Sequence, residues 1–363
     1  LAPIKFKVRH YIAIFSLGLA LLCGAPAAAA AAPGLHVSGN RLRDAWGHVV
    51  TLQGVNRSGT EYACIEGWGI FDGPNDQGSV AAIAAWHVNF VRVLINEDCW
   101  LGINGVKPAY GGPAYQQAIV QYVDLLHLSG IYPELSLVWA APGRYPAAYQ
   151  PGGPDEDHAP AVWASLAATF AADHNVILAP WGETVVDARC FLRGGVCQAT
   201  YGPRNRRYDL AGMQQAVNLM RGAGYGGVIA IPGVNIANDL SQWLRYEPRD
   251  PLHQLLAEAH VYGNNTCASR LCLNTTMAPV ARRVPLVFGE VGETYDDSSC
   301  GHRNMARLLP WATLHHVGYA AWTWDAWGNC NSLIRGYDGA PTRGYGAWVR
   351  GYYAGVASSE RHS

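Results

Sequence analysis

The chain has 363 residues, 50% of them hydrophobic and 15% charged, and a formal net charge of −1 at pH 7. Its length and apolar content suit one large or two ordinary globular domains with an ample core. Near-neutrality excludes the broad electrostatic attraction that draws proteins to nucleic acid or anionic membranes.

In chain order, Lys5, Lys7, Arg9 and His10 precede an apolar run, Tyr11–Leu22, and an Ala-rich stretch, Ala25–Ala32, with several small-x-small sites. This is the order of a secretory signal peptide over residues 1–32, its apolar part too short to span a bilayer. A secreted single domain over residues 33–363, free of the membrane, is expected to remain. Lipid attachment at Cys23 is disfavoured by Leu22, which stands where a small residue belongs. Losing Cys23 with the leader leaves eight cysteines, an even number that suits disulfides in an exported protein. Close spacing favours Cys190–Cys197 and Cys267–Cys272 as clasps, with Cys64–Cys99 and Cys300–Cys330 as longer links. The Cys-x2-Cys spacing that zinc would require is absent.

Leu35–Val50 reads as a small, half-polar hairpin, a lid over one end of something larger. Apolar strand candidates follow at Val50–Asn56, Phe90–Asn96, Tyr132–Trp139, Val176–Glu183, Gly227–Gly233, Leu255–Tyr262, Pro285–Val291 and Gly318–Trp324. Between them, Tyr115–Leu128, Ala161–His174, Leu210–Gly222 and Met305–His316 repeat apolar residues at three- and four-residue steps. Eight strands alternating with helices at this length predict a closed α/β barrel, the (β/α)8 TIM barrel, with the hairpin at its N-terminus.

Such a barrel places working residues at the C-terminal ends of its strands. Here those ends carry Asn56, Asn96, Trp139, Glu183, His260, Tyr262, Glu290, Trp322 and Trp324. Two stretches, Asn175–Glu183 and Val284–Gly292, each bring an apolar run to a Gly-Glu pair. Two acids on two strand ends can hydrolyse a glycoside with retention if the fold holds them about 5–5.5 Å apart. Gly222–Gly227 fits Gly-x-Gly-x-x-Gly by letters, but it follows a helix and precedes a strand, so it reads as a helix stop. No Gly-x-Ser-x-Gly elbow, His-Glu-x-x-His pair or phosphate loop occurs, and no cofactor or metal is expected. Asn264-Asn-Thr and Asn274-Thr-Thr match glycosylation sequons.

Val50–Asn56, Phe90–Gly102, Ala259–Tyr262, Pro285–Glu290 and Ala320–Asp325, in that order and spacing, resemble glycoside hydrolase family 5, the secreted barrel β-glycanases that include many cellulases. The resemblance implies Glu290 as nucleophile and Glu183 as acid/base. Arg92 would hold the nucleophile ionised, Tyr262 would donate to it, His260 would support the acid/base, and Trp322 would lie under the sugar being cleaved. Asn96, Trp139 and Trp324 are counted with them as sugar contacts. Two positions depart from the pattern: Gly182 replaces the usual Asn before the acid/base, and Val138 replaces a His on the third strand. Water or another side chain could substitute, the reacting sugar could differ from glucose, or the site could bind glycan and barely cleave it. A monomeric endo-β-1,4-glucanase acting on a β-glycan polysaccharide or oligosaccharide is the leading expectation. A β-mannanase or other β-glycosidase, and a catalytically impaired carbohydrate-binding protein, are the alternatives.

Overall fold

The structure, a computed structural model, describes residues 34–202, 204–294 and 299–360. The expected leader lies outside these residues. Eight parallel strands close into a barrel: β1 (Gln53–Arg57), β2 (Phe90–Asn96), β3 (Tyr132–Trp139), β4 (Ile177–Ala179), β5 (Ile229–Pro232), β6 (Leu255–Tyr262), β7 (Leu286–Gly292) and β8 (Gly318–Ala321). Each pairs with its sequence neighbours, and β8 closes on β1. The chain is therefore a (β/α)8 barrel.

β2, β3 and β6 have the bounds their apolar runs predict. β4 is shorter, because Pro180 has no amide proton to continue the ladder. Glu183 consequently lies on the loop beyond the strand.

Helices Pro113–Leu128, Ala159–Thr169, Met213–Gly222 and Arg303–Leu314 lie near the expected segments. Between β5 and β6 there is only a 3-10 turn, Trp243–Arg245. That connection begins with Asn235, Ile236 and Ala237 at φ 54, 57 and 53°, three successive left-handed residues that cannot start a helix. The last helix, Tyr345–Glu360, was not evident from periodicity because Gly346, Gly351 and Gly355 interrupt its pattern. A hairpin, Gly195–Tyr201 with Arg206–Leu210, is inserted between β4 and β5 and was also not anticipated.

Side chains alternate along the strands, so Val91, Val93 and Ile95 pack outward among the helices while Phe90 and Arg92 point into the barrel. The lower interior is apolar: Leu52, Phe90, Tyr132, Ile177, Leu256 and Val287 form one cluster with Leu35 and Leu42. Those last two come from a small antiparallel sheet, His36–Ser38, Arg41–Arg43 and Val49–Val50. The expected hairpin is thus a three-stranded plug at the N-terminal end of the barrel. Disulfides join Cys64–Cys99, Cys190–Cys197, Cys267–Cys272 and Cys300–Cys330, the favoured pairing. Among the described residues, no helix is long and apolar enough to cross a membrane.

Candidate active site

Above the apolar layer the barrel interior turns polar. Arg92, fully buried on β2, donates from Nε to Glu134 at 2.9 Å, from Nη1 to Glu290 at 2.7 Å and Asn56 at 3.1 Å, and from Nη2 to Ser136 at 2.9 Å. Its Nε also lies 3.2 Å from Glu258. Strand alternation alone would turn Glu290 away from this group, since Val287, three residues earlier, faces inward. The β6–β7 pairing slips between Ala259 and His260, and this bulge re-aims Glu290 into the barrel. At Gly289, inside the slip, an added Cβ would collide with the buried Glu258 carboxylate, so a side chain there requires that carboxylate to move.

Glu290 Oε2 accepts from the Tyr262 hydroxyl at 2.6 Å. Glu183 approaches from the β4 loop, and His260 stands between the two acids. Its Nδ1 is 3.0 Å from Glu183 Oε1 and 3.6 Å from Glu290 Oε2, while Nε2 is 3.1 Å from Glu258. One oxygen each of Glu183 and Glu290 and a His260 nitrogen lie within 4.8 Å of one another.

The two acids are pushed apart electrostatically. Burial raises Glu183, and the Glu290 charge adds to this against the opposing His260 hydrogen bond, so its carboxyl stays protonated above the ordinary range. Burial would raise Glu290 as well, but His260, Arg92 and the Tyr262 hydroxyl outweigh it and hold it below that range. Burial opposes a charge on His260 too, yet the surrounding carboxylates push the imidazolium up to about 10. Glu134, desolvated and beside Glu258, is pushed up to about 8. One carboxylate held in its charged form thus faces one carboxyl held in its protonated form.

These groups open into a cleft of about 280 Å³ lined by Glu183, Ile236, Tyr262, Asn264, Asn265, Glu290 and Trp322. From Trp322 an aromatic strip continues outward. Trp327 lies 6.3 Å from Trp322 and from Tyr62, and Tyr62 lies 5.5 Å from Trp68 and 6.2 Å from Trp139. Trp68 is 59% exposed and Trp327 39%, so the strip is open to a ligand.

Of the nine site residues read from the sequence, Arg92, Glu183, His260, Tyr262, Glu290 and Trp322 meet at this cleft, and Trp139 stands beside Tyr62 on the strip. Two do not reach it. Asn96 is fully buried, capping the helix Glu97–Leu101 through the Cys99 amide at 3.1 Å and donating to the Glu61 and Ala147 carbonyls. Trp324 is fully buried edge-on to Trp86 at 4.9 Å, outside the barrel, because the chain has left β8 before it. Conversely, Glu134 and Glu258 join the site through Arg92, and both carry the same sequence signal as Glu290, a charge within an apolar strand. Ile236 and Gln150 sit on loops and carried no such signal.

The Glu183, His260 and Glu290 atoms, and a second trio of Glu97, Asp155 and His158, have the spacing to hold a cation. In both, the histidine already supplies the positive charge. The Glu97 hydrogen bond and the charges of Glu97 and Asp155 push His158 up to about 9, and an imidazolium has no lone pair to give a metal.

Comparison with known proteins agrees with the geometry. The sequence profile of the Cellulase family (glycosyl hydrolase family 5) matches residues 44–328. A mannan endo-1,4-beta-mannosidase of Streptomyces lividans is 23% identical over 359 residues, covering 95% of this chain and 82% of the relative. A β-glucanase from Saccharophagus degradans, solved in complex with cellotetraose, superposes with a TM-score of 0.65 at 17% identity, over 91% of this chain and 95% of the other. The catalytic domain of a mannanase from Streptomyces sp. SirexAA-E gives 0.58 at 19% identity, over 90% of each chain.

Proposed function

From the premise that this chain belongs to glycosyl hydrolase family 5, we propose that it is a secreted, retaining endo-β-glycanase in which Glu290 is the nucleophile and Glu183 the acid/base. The observation carrying this reading is the shared His260, which brings the two carboxyls within 4.8 Å while their proton affinities are driven in opposite directions.

The chemistry takes two steps. In the first, a Glu290 oxygen attacks the anomeric carbon as the glycosidic bond breaks, and Glu183 gives its proton to the departing oxygen. The sugar is left as an ester on Glu290. In the second, Glu183, now a carboxylate, takes a proton from water, the water oxygen replaces Glu290 at the anomeric carbon, and the configuration is retained. Arg92 and the Tyr262 hydroxyl hold Glu290 charged for attack and take up its charge again as it leaves.

The aromatic strip from Trp322 through Trp327 to Trp68 supports endo action, because stacking faces beyond the reacting sugar suit a chain held along several units. β-1,4-Glucan is the leading substrate. β-1,4-Mannan is the second reading, favoured by the mannosidase relative.

Release of reducing ends from cellulose derivatives, mixed-linkage β-glucan and mannan tests the proposal. The wild type should cleave at least one, and Glu290→Ala and Glu183→Ala should lose about 10³-fold or more of that activity. Binding without cleavage by the wild type would instead assign a carbohydrate-binding protein.

A further inference from the structure

Gly182 offers no side chain beside the acid/base, and the space it leaves is occupied. A Cβ built there would meet Gln150 Nε2 at 3.4 Å, Val138 Cγ2 at 3.4 Å and Arg92 Nη2 at 3.5 Å. The amide of Gln150 therefore enters from another loop the space that a longer residue at 182 would fill, a space bordered by Arg92 Nη2, the nitrogen that donates to Ser136.

The loop presenting it is held in place. Tyr149 stacks on Tyr201 with ring centres 4.4 Å apart and planes 9° apart, and its hydroxyl accepts from the Gly202 amide at 2.6 Å. Tyr201 in turn donates to the Pro146 carbonyl at 2.6 Å. On the other side, Gly152 O accepts from the Val185 amide at 3.1 Å and the Thr184 hydroxyl at 2.7 Å. The inserted hairpin Gly195–Tyr201 and the acid/base loop thus clamp Gln150 between them. One amide proton goes to Glu183 O at 2.9 Å. A primary amide has a second proton to give.

We infer that Gln150 is the amide donor to the 2-hydroxyl of the sugar attacked by Glu290, delivered from the loop after β3 in place of a side chain at 182. Contacts to that hydroxyl strengthen as the transition state forms, so this donor acts on turnover more than on binding. The inference rests on the hydrolase reading.

The test crosses residue with substrate, using 4-nitrophenyl β-cellobioside, or the β-mannobioside if the wild type prefers it, and the analogue lacking the 2-hydroxyl on the sugar bearing nitrophenol. Gln150→Ala should lower kcat about 30-fold or more on the parent with KM little changed, and alter the deoxy rate by about threefold or less. Adding Gly182→Asn to Gln150→Ala should recover most of the lost rate, since the vacated space admits the side chain. Equal losses on both substrates would make Gln150 a support for Glu183 only, and unchanged rates would remove its role; either overturns the inference. If Glu290→Ala cleaves the parent as well as wild type does, the hydrolase reading has failed, and the inference falls with it.

Discussion

Arg92 Nη1 lies 2.7 Å from Glu290 Oε1, and the guanidinium that makes this contact is also shared with Glu134, Asn56 and Ser136. A planar fork can satisfy these acceptors together, whereas a lysine ammonium is a single point of charge. Arg92→Lys should therefore lower kcat/KM at least about 100-fold, and removing one partner from a buried charge network costs about 3–5 kcal/mol. Steady-state kinetics with a melting curve checks both. A lysine variant with wild-type turnover would show that Glu290 needs no such partner.

The opposed shifts at the two acids set the pH profile. In the proposed roles, cleavage needs Glu290 ionised and Glu183 protonated. Activity is lost on the acid side as Glu290 takes up a proton, below its ordinary value of 4.5, and on the alkaline side as Glu183 releases one, above that same value. A bell-shaped kcat/KM profile is expected. In Glu183→Gln the alkaline limb should vanish, with the acid limb kept in whatever activity remains. An alkaline limb that persists in that variant would belong to another group.

Trp322 and Trp324 are separated by one residue and should behave oppositely. Trp322 lines the cleft, so Trp322→Ala should cost about 1–3 kcal/mol of kcat/KM with little change in melting temperature. Trp324 is buried against Trp86, and Trp324→Ala should cost about 3–5 kcal/mol of stability by leaving a cavity. Swapped outcomes would contradict the placement of the two rings.

Leu42 is buried in the plug at the end of the barrel remote from the acids. Leu42→Ala is expected to cost about 2–5 kcal/mol of stability, read by denaturant unfolding, with kcat and KM unchanged at temperatures where the variant stays folded. A kinetic defect would show that the plug is coupled to the cleft.

The barrel was legible because its strands are buried almost throughout, so Phe90–Asn96 and Leu255–Tyr262 appear as largely apolar runs interrupted only by the few polar groups of the site. The acids at 183 and 290 stood out as charges closing such runs. Asn96 and Trp324 misled because a strand-end position does not fix a side chain's direction: one became a helix cap and the other turned outward after β8. The bulge that re-aims Glu290 is a property of strand pairing, which a single strand's letters do not carry. Gln150 was hidden for a different reason, since its place is set by the Tyr149–Tyr201 stack between two loops far apart in sequence.

The covalent role proposed for Glu290 is open to direct capture. An activated 2-deoxy-2-fluoro-β-cellobioside, or the corresponding mannobioside, slows both chemical steps, but its good leaving group lets the first outrun the second, so the ester accumulates. Intact-protein mass should rise by one disaccharide unit, and peptide mapping should place it on Glu290 and nowhere else, with no adduct in Glu290→Gln. An adduct on another carboxylate, or turnover of the natural glycan with inversion and no adduct, would contradict the assignment of Glu290 as nucleophile.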